Sequence, residues 1–364
     1  MSTQWNVTFQ FISQASAKEM QEILETFFSA DIPPSAQMLE QIVGKVNEVL
    51  VHEDNEIRPL AKNKKPGGLV DLSRARYVVI LPDLHARREF LQSVLMWKPF
   101  DNRNVLELMD SENFVLLCLG DGVHSEVSTV DRWKKAEEEY FGHYKKHEAI
   151  DREITESFHL MLAVMLLKIR YPQKFHFLKG NHENILNEFG NGNYPFAKYA
   201  NEGAMIYEYF QSNYGKKVLE KYAMFEKLLP VFAVGKNFIA SHSEPACRYS
   251  RDEIINYHND GMLIDAFTWT ENFKADEGTA EWFLDEFLNR KSPGDYYFGG
   301  HRPIRGLYNR INNDRYVQIH NPLMRIAFFE DTEKYKQINL DECICEVPLF
   351  SEENSPDKTL CIDI

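Results

Sequence analysis

Five short apolar runs in this chain each end at residues able to bind metal ions, and that repetition constrains the fold more than any other feature. Tyr77-Val-Val-Ile-Leu81 leads to Asp83-Leu-His85, and Phe114-Val-Leu-Leu-Cys-Leu119 leads to Gly120-Asp121. Phe175 to Leu178 leads to Gly180-Asn181-His182-Glu183, Phe238-Ile-Ala240 leads to Ser241-His242, and Tyr296-Tyr-Phe298 leads to Gly299-Gly300-His301. Such runs, β-branched or aromatic and separated by helical stretches, read as the strands of a layered α/β architecture. Carboxyl ends of sheet strands form the crevice in which α/β proteins hold ligands, so these distant groups are expected to converge. In Asp83-x-His85 the i, i+2 spacing aims both side chains one way if strand geometry persists.

Carboxylate, imidazole and amide oxygen together suit divalent manganese, iron or zinc better than calcium, which prefers oxygen alone. Two divalent ions bring four positive charges and Asp83 and Asp121 remove two, a surplus that attracts a phosphate dianion. The glycines at 120, 180, 299 and 300 permit the tight turns such a site needs. Hydrolysis of a phosphate ester is the chemistry these groups suit.

Charge narrows the partners. Lys and Arg number 41 against 55 Asp and Glu, a formal net charge of −14, which argues against a general nucleic-acid binder because phosphate-backbone affinity rests on clustered cations. A small charged metabolite or a protein fits better. The cysteines, at 118, 247, 343, 345 and 361, match neither a disulfide framework nor a Cys-x-x-Cys zinc pattern, so a reducing compartment is expected. No basic region precedes an apolar stretch at the N-terminus, and the run Leu160 to Leu167 is too short to cross a bilayer. The expectation is a soluble, cytoplasmic protein without membrane association.

Residues 1–70 read as a helical N-terminal extension: an alternating strand over 5–11, then helices begun by the capping box Ser16-Ala-Lys-Glu19 and by Ser35. Residues 55–68, with Lys62, Lys64, Lys65, Pro66 and two glycines, read as a solvated linker. The catalytic domain is expected over 71–330. Its clearest helix runs from about Glu148 to Tyr171 and is stopped by Pro172. Residues 331–364 hold a strand over Cys343–Phe350 and a polar tail over Ser351–Lys358.

Asp83-x-His85, Gly120-Asp121, Gly180-Asn-His-Glu183, His242 and Gly300-His301, in that order, resemble the signature of the calcineurin-like metallophosphoesterases. Tyr171-Pro-Gln-Lys-Phe-His-Phe-Leu-Lys-Gly-Asn-His-Glu183 and Phe225-Glu-Lys-Leu-Leu-Pro230 are similar to the phosphoprotein (serine/threonine) phosphatase branch. The resemblance covers roughly 74–330. It implies a β-sandwich flanked by helices and a centre of two divalent ions, manganese with iron or zinc as alternatives. Asp83, His85 and His301 would hold one ion, Asn181 and His242 the other, with Asp121 bridging. A hydroxide between the ions would attack phosphorus in line, His182 would protonate the leaving alkoxide, and Glu183 would orient its neighbours.

The chain departs from the family in three places: His-Gly-Gly reads His242-Ser-Glu, the arginine expected before the last histidine motif is not evident near Ser292-Pro-Gly-Asp295, and the second motif differs most. Gly-Asp-x-Val-Asp-Arg-Gly reads Gly120-Asp-Gly-Val-His-Ser-Glu126 here, so the aspartate that supports the general acid is His124 and the phosphate-clamping arginine is Ser125. An imidazole can still accept a hydrogen bond from His182, but adjacent rings resist double protonation. Replacement cations are Arg302, Arg87 and Arg305, with Arg88 and Arg248 further candidates. Arg302 either clamps phosphate or forms a surface ion pair. Val130-Asp-Arg132 is either the family tripeptide displaced by an insertion or a helix start. His320 touches substrate or simply ends a strand; His143 and His147 read as a solvated helix face. Three functions remain open: a phosphomonoesterase acting on phosphoproteins or small phosphate esters, a nucleotide or diadenosine polyphosphate hydrolase, and a catalytically weak binding module. For the last, the N-terminal unit would serve a protein partner.

Overall fold

The computed structural model describes residues 8–127, 129–288, 292–334 and 337–351. Two sheets pack face to face. One has the order β1 (Leu69–Asp71), β5 (Phe232–Val234), β6 (Phe238–Ser241), β7 (Tyr296–Gly299), β9 (Tyr316–Gln318), β8 (Asn309–Ile311). The other runs β11 (Ile344–Glu346), β10 (Ile326–Asp331), β2 (Tyr77–Leu81), β3 (Phe114–Cys118), β4 (Phe175–Phe177).

Strand alternation inside fully buried runs builds the layers. Val78 and Ile80 of β2, with Val115 and Leu117 of β3, face Phe238, Ala240, Phe298 and Val317 between the sheets. The opposite row, Tyr77, Val79, Leu81, Phe114 and Leu116, packs under helices that include Arg88–Met96 and Glu148–Arg170. Phe232, Ile239 and Tyr297 pack on the other side beneath Gly261–Thr268 and Thr279–Leu288. The expected β-sandwich flanked by helices is what forms. Parallel neighbours β2, β3 and β4 end at the same edge as parallel neighbours β6, β7 and β9, and this shared edge collects the polar strand ends.

Helices Ala17–Phe28 and Ala36–Val51 start at Ser16 and Ser35 as the caps require, the first with a complete capping box. Their apolar faces lie against Glu148–Arg170 and join its hydrophobic cluster. Among the described residues no helix is long and apolar enough to cross a membrane.

Three expectations give way. The strand expected over 5–11 lies partly outside the described residues, and Phe9–Gln14 is a helix capped by Thr8, which buries Ile12. Alternation in so short a stretch loses to the cap. The C-terminal strand is shortened to Ile344–Glu346, preceded by a helical turn at Leu340–Cys343 and followed closely by Pro348, which has no N–H to extend a ladder; the tail beyond 351 lies outside the described residues.

The stretch 55–68 is no free linker, although its lysines are exposed. Arg58 is fully buried and donates to Gly67 O at 2.7 Å, to Leu228 O and to Glu53 Oε2 at 2.6 Å. Lys168 contacts the other oxygen of Glu53 and donates to Phe175 O at 3.0 Å. This buried cluster joins the end of Ala36–Val51 to the start of β4, the strand that delivers Asn181. Burial alone would raise the Glu53 carboxyl, but Lys168 and Arg58 bring it from 4.5 down to about 2. Its contribution to stability is therefore present above pH 4.5 and lost as pH falls toward 2. Glu53→Gln is expected to cost about 3–5 kcal/mol because two buried cations lose their partner, and to flatten the acid limb of stability in that window. Urea unfolding midpoints of both proteins across that pH range check this.

Candidate metal centre

The side chains expected at the strand ends meet. Asp83, His85, Asp121 and His242 are at most 3 % exposed, and Asn181, His182 and His301 are also buried. Asp121 lies at the middle: its Oδ2 is 3.7 Å from His85 Nε2, 3.7 Å from His182 Nε2 and 3.3 Å from His242 Nε2. Its Oδ1 accepts the His182 backbone N–H at 2.9 Å. Asp83 accepts the His301 backbone N–H and stands 3.8 Å from His85 Nε2.

Strand geometry does not persist through Asp83-x-His85. The chain turns instead, with His85 at φ 42°. Asp121, His124 and His301 share this left-handed region at φ 51°, 66° and 63°, a conformation that costs about 1–3 kcal/mol per non-glycine residue. Strain at these positions accompanies convergence of their side chains. Two glycines are sterically required: a Cβ on Gly180 would collide with the Asp121 carboxylate, and one on Gly300 with that of Asp83.

Glu183 locks two of the loops together, as the sequence suggested for an orienting group. Its carboxylate accepts N–H groups of Gly180 at 2.7 Å, Asp121 at 3.0 Å and Gly122 at 2.9 Å.

Backbone carbonyls fix the histidine rings. His85 donates Nδ1–H toward the carbonyls of Val123 and His124, and His242 donates Nδ1–H to Leu119 O at 3.0 Å, so in each ring Nε2 is the nitrogen left to face inward. Asn181 Oδ1 sits 2.9 Å from both His242 Nε2 and His301 Nδ1. The His301 ring is thus beside Asn181 and His242, while only its backbone reaches Asp83. Positive charge is wanted here. Burial lowers His242, yet Asp121 and Asp83 overcome it and raise the ring to about 9. Burial likewise opposes protonation of His85, but Glu126, Asp121 and Asp83 raise it. Asp121 is held well below its ordinary value despite burial, chiefly by His182 and His242. Carboxylates packed around inward lone pairs fit divalent cations, and Asp83, His85, Asp121, His182, His242 and His320 fall into overlapping groups close enough to hold metal.

His182 and His124 form a buried pair. His182 Nδ1 and His124 Nδ1 are 2.8 Å apart. Burial pushes His124 down to about 3 and outweighs Asp121 to push His182 well below 6.5, so one ring donates and the other accepts. Ser125 turns away: its N–H goes to Glu153 Oε1 at 3.0 Å. Arg132 is paired at 2.6 Å to both Glu153 and Glu156, which places Val130-Asp-Arg132 at a helix start with its guanidinium neutralised.

Of the cations singled out, Arg87 directs its guanidinium to five backbone carbonyls, those of Asp83, Leu84, Asn321, Pro322 and Met324. Arg302 is half-buried at the rim and pairs with Glu271, and Arg305 is exposed.

Four further residues enter the site. Glu126 Oε2 is 3.6 Å from His85 Nε2 and 3.2 Å from His320 Nε2. Lys198 donates to its other oxygen at 2.6 Å. The Phe196 ring stacks on His124 at 5.0 Å and 7° and lies 3.8 Å from the His182 ring. Glu126 stands only two residues from His124 in a motif already singled out, which was a usable signal; Phe196 and Lys198 carry none.

Among solved structures, a protein serine/threonine phosphatase from Saccharomyces cerevisiae, described as similar to human phosphatase PP5, aligns over 90 % of this chain and 94 % of that one, at TM-score 0.52 and 12 % identity. A cold-active protein-tyrosine phosphatase of a psychrophilic Shewanella species covers 76 % of this chain and 80 % of its own, at TM-score 0.41 and 12 % identity. No curated protein matches the sequence. Residues 77–325 match the model of the calcineurin-like phosphoesterase family. That stretch spans every strand end whose side chains meet around Asp121, and the chain belongs to the calcineurin-like phosphoesterases.

Proposed function

We propose that this phosphoesterase is a dinuclear metal-dependent phosphomonoesterase of the serine/threonine-phosphatase type. The observation that carries the reading is the central position of Asp121, whose Oδ2 lies 3.7 Å from His85 Nε2 and 3.3 Å from His242 Nε2, with Asn181 Oδ1 2.9 Å from both His242 and His301. Asp121 would bridge two divalent ions, manganese, iron or zinc by donor type. When bound, such a pair supplies an activated water and stabilises the attacking and leaving oxygens of an in-line displacement.

The remaining steps belong to the chain. His182 Nε2 faces Asp121 at 3.7 Å. With His182 protonated on both nitrogens, His124 Nδ1 accepts its Nδ1–H and the Nε2 proton can pass to the leaving oxygen, which returns His182 to the neutral ring. Phe196 stacks against this pair. Arg302 at the rim would meet the phosphate, releasing Glu271. Glu126 adds a third carboxylate that reduces the positive surplus, and the Lys198 ammonium offsets it. The Tyr171–Glu183 text supports a phosphorylated protein side chain as substrate, in preference to a diadenosine polyphosphate.

Stripped protein is expected to be inactive on an aryl phosphate and to recover with manganese, and Asp121→Asn to stay inactive under both conditions. Phosphate release by metal-loaded wild type that does not exceed Asp121→Asn anywhere between about pH 5 and pH 9 would end this reading. His182→Ala is expected to lower kcat by about 100-fold or more, with ion content by elemental analysis unchanged. His124→Asp gives His182 a charged partner and is expected to raise kcat at neutral pH; phosphopeptide turnover measures it.

A further inference from the structure

His320 follows β9 in Gln318-Ile-His320-Asn321, outside all five strand-end motifs, and is fully buried. Its Nε2 lies 3.2 Å from Glu126 Oε2. An ionised carboxylate only accepts hydrogen bonds, so Nε2 carries the proton. In the neutral ring that leaves Nδ1 as a bare lone pair. This Nδ1 is buried without a hydrogen-bond partner and stands 3.8 Å from Asp83 Oδ2.

Two acceptors turned toward each other out of water cost free energy unless something positive lies between them. His85 repeats the geometry: its Nδ1–H is taken by backbone carbonyls, and its Nε2 stands 3.8 Å from the same Asp83 oxygen. Ligand atoms each about 2.0–2.2 Å from one ion lie no more than about 4.4 Å apart, so both 3.8 Å separations are compatible with a shared cation. Glu126 is itself held, since Lys198 occupies its second oxygen at 2.6 Å.

We infer that His320, through Nδ1, is a ligand of the same divalent ion as Asp83 and His85, and that Glu126 is the positioning residue that fixes its ligating tautomer. The inference rests on the dinuclear reading above and adds a protein ligand to one of its two ions. A carboxylate that accepts the remote N–H of a metal-bound imidazole also raises the basicity of the ring, which gives Glu126 a role its place in the motif does not suggest.

The test uses full-length protein stripped of metal and titrated with Zn²⁺ and with Co²⁺. Wild type is expected to take up two ions. His320→Ala is expected to lose at least tenfold in affinity at one site only, with a changed Co²⁺ visible absorption spectrum. Glu126→Gln, nearly isosteric, is expected to weaken the same site by about 10–100-fold, with a smaller metal-induced rise in Tm and an unchanged metal-free Tm. If His320→Ala does not fold, Glu126→Gln decides alone. Two sites of wild-type affinity with an unaltered Co²⁺ spectrum in the folded variants would overturn the assignment of His320 while leaving the dinuclear reading intact. Wild type that binds no ion would overturn both.

Discussion

A carboxylate removed from water has to be met by donors or by positive charge, and the centre of this molecule is organised around that demand for Asp121. One of its oxygens receives a backbone N–H from His182, and the other faces three imidazoles. His85 and His242 are held by backbone carbonyls and His182 by the His124 ring, so none is free to swing toward solvent. The sandwich supplies the rest, since two sets of parallel strands must end at one edge for six loops to bring polar groups within a few ångströms. Left-handed backbone at His85, Asp121, His124 and His301 is the local cost of that convergence.

Much of this was legible in the sequence for a physical reason. A strand buried on both faces is apolar throughout, so the point at which it leaves the core is marked by its first polar residues, and Asp83, Asp121, Asn181, His242 and His301 all stand there. The capping residues Ser16 and Ser35 announced their helices in the same way. Local signals failed where a single long-range contact decides. Arg58 sits among exposed lysines and looks like its neighbours, yet the carboxylate and carbonyls it satisfies come from Glu53, Gly67 and Leu228. Glu126 and His320 lie 194 residues apart, and only the fold shows that they form a pair.

The altered motif becomes intelligible once its surroundings are seen. Where the family places an aspartate and an arginine, this chain has a neutral His124 and a Ser125 that binds Glu153 through its backbone. Arg132, Glu153 and Glu156 then form an ion cluster beside that turn. The charges of this region stand on the helices Val130–Phe141 and Glu148–Arg170. Glu126 with Lys198 is the charged pair that faces the centre instead.

The helices Ala17–Phe28 and Ala36–Val51 contribute Leu24, Phe27, Leu39, Ile42 and Val46 to the same apolar cluster as Ile154, Phe158 and Met165 of Glu148–Arg170. The stretch that carries the family likeness therefore ends well inside the unit that must condense together: cut at residue 77, it would present an oily groove to water on the very helix whose far end anchors β4. Kinship and cooperativity draw different borders on this chain.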